Sequence, residues 1–133
     1  MNKLVGITGV LAGGLAFAAF AQAPSAKGEI STAHAHAMMA KSANTVAMSH
    51  THLHHVINCL VGPRGQGFDA AAGDPCKGKG NGALPDSASN HALHGKLQSA
   101  LHDAQAGLKS DSLATVQRDA GKAAAVLQAT STQ

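Results

Sequence analysis

Histidine is the residue whose number and spacing carry chemistry in this chain. There are nine in 133 residues, against seven Asp and Glu together. They fall in runs: His34-Ala-His36, then His50-Thr-His52-Leu-His54-His55, then His91-Ala-Leu-His94, with His102 eight residues further on. Imidazole suits borderline transition metals. It is also the side chain that changes charge near neutral pH. On a helix, residues at i and i+3 or i+4 share a face about 5–6 Å apart, so two rings can reach one ion. His50 and His54 make such a pair, and His52 and His55 make another on a different face. The second face also carries Met48, four before His52, and Cys59, four after His55. That nitrogen and sulfur stripe would favour copper if the thiol were free. Further along, His91, His94, Gln98 and His102 form a stripe of their own.

What is missing narrows the metal. The first helical segment has no Asp or Glu after Glu29, and the second has only Asp103. Mg²⁺, Ca²⁺ and Mn²⁺ bind through carboxylates and are disfavoured. Cu, Ni, Zn and Co remain. The same shortage argues against an enzyme, because a hydrolytic metal site needs a base beside its water. No nucleophile motif is apparent. Haem could use two facing His as axial ligands, but there is no Cys-x-x-Cys-His, and large apolar residues are too few for a pocket.

The elements that must position these rings begin after an export leader. Met1 to Lys3 give a basic start, Leu4 to Phe20 run without charge or Pro, and small residues follow. This is the pattern of a secretory signal peptide over 1–21, in a bacterial style. Cleavage after Ala21 leaves Gln22 first, whereas cleavage after Ala23 would put Pro24 first. An uncleaved anchor is the alternative. The expected destination is the periplasm or the exterior, with no membrane span once the leader is removed. In that oxidising setting Cys59 and Cys76, with 76 − 59 − 1 = 16 residues between them, read as a disulfide contributing roughly 3 kcal/mol. The rival reading makes Cys59 a metal ligand.

Residues 22–133 read as a single all-α domain, a small antiparallel helical hairpin or three-helix bundle with a Gly/Pro-rich loop tied by one disulfide. Helices are expected over about 31–61, 89–109 and 112–129, with the tied loop at 62–88. Gly62-Pro63 stops the first. Met39, Val46, Leu53, Ile57 and Leu60 give it a core stripe, and Leu93, Leu97, Leu101 and Leu108 give one to the second. Gly107 and Gly95 would permit close approach of a neighbour. Met38, Met39 and Met48 read as core filler. The loop matches neither a phosphate-binding nor an EF-hand pattern. Past residue 21 only 20 Leu, Ile, Val, Met and Phe remain, so a staple, a metal or a partner chain must help a thin core.

A net charge of +3 and 2% aromatic residues give no nucleic-acid surface. In a hairpin of the first two helices, His54, His55, His91 and His94 converge near the loop, and His50 and His102 lie level with each other. His34 and His36 are then an accessory pair. The sequence therefore predicts an exported protein that binds Cu, Ni, Zn or Co through His50, His52, His54, His55, His91, His94 and His102, for sequestration, delivery or sensing. A non-enzymatic module that docks an envelope protein or responds to pH is the alternative. Either is compatible with a homodimer.

Overall fold

The computed structural model describes residues 25–131, and the expected leader, with both candidate cleavage positions, lies outside the described residues. The described residues are all-helical, with the Cys59–Cys76 disulfide in place. Five helices follow one another: α1 (Lys27–Ser42), α2 (Val46–Val61), the single-turn α3 (Ala83–Asp86), α4 (His91–Leu108) and α5 (Leu113–Ser131).

The first expected helix, 31–61, is two helices. The chain breaks at Ala43-Asn44-Thr45. Thr45 has extended backbone, and its side-chain hydroxyl accepts the Met48 amide at 3.1 Å. That bond satisfies one of the free amides at the start of α2. Ser42, Asn44 and Thr45 compete with a continuing helix for backbone hydrogen bonds, which is the local reason for the break. Ser49 then ties the two helices together, donating its hydroxyl to the Ala40 carbonyl at 2.8 Å in the interior. With so short a connection α1 turns back and packs along α2. It also packs against α5, and α4 packs against both α2 and α5.

The core matches this arrangement. Ile30, Ala33, Ala37 and Ala40 of α1 are buried together with Leu53, Val56, Ile57 and Leu60 of α2, Leu97, Ala100 and Ala104 of α4, and Val116, Ala120, Ala123 and Leu127 of α5. So much alanine means that helices must approach closely to exclude water. Gly107 shows how closely. A Cβ there would stand 2.6 Å from Leu53 Cδ1, whereas one at Gly95 would meet nothing within 4 Å. Because the break shifts the helical phase, Met39 leaves the expected core stripe and is 49% exposed.

Between α2 and α4 the chain is held by polar contacts and the staple. Gly62 ends α2 at φ 70, a conformation costly for any other residue. Asn58, fully buried, donates to the Asp69 and Gly73 carbonyls at 2.7 and 2.6 Å and accepts the Asp69 amide at 2.8 Å. Asp69 caps a 3₁₀ turn at Ala70–Ala72. Cys76 then joins Cys59, one residue beyond Asn58.

Glu29 of α1 reaches this same segment. Its Oε1 accepts the Gly82 amide at 3.1 Å, and a Cβ on Gly80 would overlap both Glu29 Oε1 and Asp86 Oδ2. Only glycine fits between the two carboxyls. Burial raises the Glu29 pKa, the backbone amides oppose it, and Asp86 adds to the rise. The folded state therefore holds this proton to higher pH than the unfolded chain, and stability falls as pH rises through that window. Glu29→Gln, which keeps the acceptor oxygen, should remove the decline. In denaturant melts between about pH 4 and about pH 7 the variant is expected to gain on the wild type as pH rises. A constant difference at every pH would show that the Glu29 pKa is the same in the folded and unfolded states.

Candidate metal centre

The turn at 43–45 sets the level of each histidine on α1 and α2. His36 lies seven residues before Ala43 and His52 seven after Thr45. At 1.5 Å per residue both stand about 10 Å from the turn. They face each other across the α1–α2 seam, and His55, three residues after His52, joins them from below. The Nδ1 atoms of His36 and His52 are 3.2 Å apart, and those of His36 and His55 3.3 Å. One ligand nitrogen from each ring lies within 4.8 Å of the other two. All three rings are half-buried. Among the described residues this is the group of His, Cys, Asp and Glu with metal-binding spacing.

Hydrogen bonding prepares the nitrogens. The His55 Nε2 lies 2.7 Å from the Ala72 carbonyl, and a ring nitrogen can meet a carbonyl only as a donor. With the ring proton on Nε2, the metal-binding form of His55 turns the Nδ1 lone pair toward His36. His36 Nδ1–H can donate to that lone pair or to His52, so one proton serves inward-facing nitrogens that a cation would satisfy together. Burial, followed by the neighbouring His55 and His52 rings, holds the His36 pKa down to about 4. Burial and His55 lower that of His52 as well. Neutral imidazole is the form that ligates a metal. Nitrogens on a tetrahedral ion at about 2.0–2.1 Å lie about 3.3–3.4 Å apart, against about 2.8–3.0 Å for a right angle. The two short separations here are close to the tetrahedral edge.

Of the sequence-derived candidates, the structure brings His52 and His55 to this cluster, and adds His36, which the sequence placed in an accessory pair. The others stand elsewhere. His54 Nδ1 faces Asp69 Oδ2 at 3.4 Å. His50 Nε2 lies 3.1 Å from the Ser110 carbonyl. His94 Nδ1 meets the Leu84 carbonyl at 3.1 Å, and its Nε2 lies 3.3 Å from Gln98. His91 is exposed at the start of α4, and His102 is open to solvent beside Asp103. The hairpin geometry paired the 31–61 helix with α4, whereas the partner that meets the histidine face of α2 is α1. The signal for His36 was present in the Ser42-Ala43-Asn44-Thr45 turn, about which residues 36 and 52 are symmetric. Cys59 is in the disulfide, so the Met48–His52–His55–Cys59 stripe has no free thiol.

Compared with known protein families, curated proteins and solved structures, the chain matches none, so its chemistry rests on its own residues.

The Ala72 carbonyl that orients His55 is held in place by Asn58 through Asp69 and Gly73. Asn58→Ala leaves those part-buried backbone groups without their side-chain partner and should cost about 1–3 kcal/mol. If the fold survives, any metal bound at the triad should weaken by about 10- to 100-fold, the usual effect of losing an outer partner of a ligand. Denaturant unfolding and a competitive metal titration check the two effects separately.

Proposed function

We propose that this is an exported protein that binds one borderline transition-metal ion through His36, His52 and His55, and that it sequesters, delivers or senses that ion. The observation that carries the reading is the convergence of three imidazole rings on one point, with one ring locked by a backbone carbonyl. A surface rich in solvated histidines would have no reason to bring three half-buried rings together with their nitrogens within 4.8 Å of one another. Copper, nickel, zinc and cobalt all fit imidazole donors. The two short separations, 3.2 and 3.3 Å, favour ions that accept four-coordinate, tetrahedral geometry.

The reading is of a binding protein rather than an enzyme. The cluster contains no carboxylate, and a hydrolytic centre needs a base beside its bound water. Asp69 is already engaged, with Oδ1 accepting the Ala71 and Ala72 amides and Oδ2 facing His54. The leader supports export to the periplasm or beyond, and the disulfide is consistent with an oxidising compartment. Among the described residues no helix is long and apolar enough to cross a membrane. The delivery reading takes another exported protein as acceptor.

The test compares two sets of variants. At free metal about 100 times Kd, binding to the folded state alone should stabilise the wild type by about 2.7 kcal/mol. His36→Gln, His52→Gln and His55→Gln should each abolish most of that gain. His91→Gln, His94→Gln and His102→Gln should leave it intact. Equal losses from both sets, or no metal-linked rise in melting temperature, would remove the triad as the site.

A further inference from the structure

Large apolar side chains are few in this protein, and a fold short of them would be expected to bury each one. The exceptions share one chemistry and one place. Among the described residues, the exposed large hydrophobics are Met38 at 42%, Met39 at 49% and Met48 at 53%. Two of these flank the histidine cluster. Met39 follows His36 by three residues, and Met48 precedes His52 by four, so both share helical faces with ligand rings. Both also stand one turn nearer the 43–45 connection than those rings. Met39 is four residues from Ala43 and Met48 is three from Thr45, which puts the two at one level on the opposed helices. Helical side chains lean toward the N-terminal turn, so Met39 leans over His36 while the His52 ring leans toward Met48.

A thioether is a soft, neutral donor. Added to imidazole it selects Cu(I) among the metals that the histidines alone would accept. We propose that the cluster is a Cu(I) site in which a thioether sulfur from Met39 or Met48 joins His36, His52 and His55 as a fourth donor on the solvent side of the α1–α2 seam. This rests on the metal-binding reading above and specifies it. Cu(I) carries no need for a carboxylate, and the cluster contains none.

The experiment uses the full mature chain and the double variant Met39→Leu/Met48→Leu. Leucine preserves size and helix propensity at two exposed positions, so the fold should be retained, which circular dichroism checks. Cu(I) is titrated without oxygen against a colorimetric Cu(I) chelator, and Zn(II) against its own indicator. The expected result is a loss of about 10-fold or more in Cu(I) affinity for the variant, with Zn(II) affinity unchanged. X-ray absorption of the copper-loaded wild type should show a sulfur shell at about 2.3 Å that the variant lacks. A nitrogen-only shell in both proteins with equal Cu(I) affinity overturns the proposal. So does an equal loss for both metals, which would mark the methionines as structural. A wild type that binds Zn(II) through the triad but refuses Cu(I) overturns the soft-metal proposal and leaves the triad standing. A wild type that binds neither ion overturns both.

Discussion

The arrangement of this protein depends on one short connection. Thr45 caps α2 where a continuous helix could have run, and the chain reverses between Ser42 and Val46. Everything at the candidate site follows from that reversal. It lays α1 beside α2, sets His36 and His52 at the same height, and directs the alanine face of α1 toward the interior. A continuous helix over the same residues would separate His36 from His52 by about 24 Å, at 1.5 Å for each of sixteen residues.

A second constraint fixes the site from the other side. Asn58 and Cys59 are adjacent on α2 and hold the following segment by different means, one through three hydrogen bonds and one through a covalent link to Cys76. Between them they place the Ala72 carbonyl against His55. The staple therefore serves two ends at once. It limits the unfolded chain in a domain with a thin core, and it restrains the loop that sets the tautomer of a ring in the candidate site. The tethered segment also receives Glu29 from α1, so the first helix is anchored at both its ends: by Ser49 near the turn and by the Gly80–Gly82 backbone near its start.

Much of this was legible in the chain itself. Period-3.6 patterning predicts α4 and α5 nearly to their ends, because Leu93, Leu97 and Leu101 recur at helical spacing in α4, as Val116, Ala120 and Leu127 do in α5, and Asn90 caps α4 where a start is expected. The Cys pair, the helix stop at Gly62-Pro63 and the close approach at Gly107 follow from local chemistry. The break at 43–45 was less legible, since Ala, Met and Lys on either side favour helix and the turn signal is four residues long. Missing it gives Met39 a core position and separates His36 from its partners.

Composition and spacing by themselves determined that this is an all-helical chain, stapled once and rich in imidazole, because helix periodicity, capping and cysteine count are local properties. Which three of nine histidines meet was decided only by the tertiary structure. Ring convergence depends on which helix lies beside the histidine face of α2, and that choice is made by packing. Alanine-faced α1 can approach α2 closely, and a three-residue turn costs little closure entropy to bring it there.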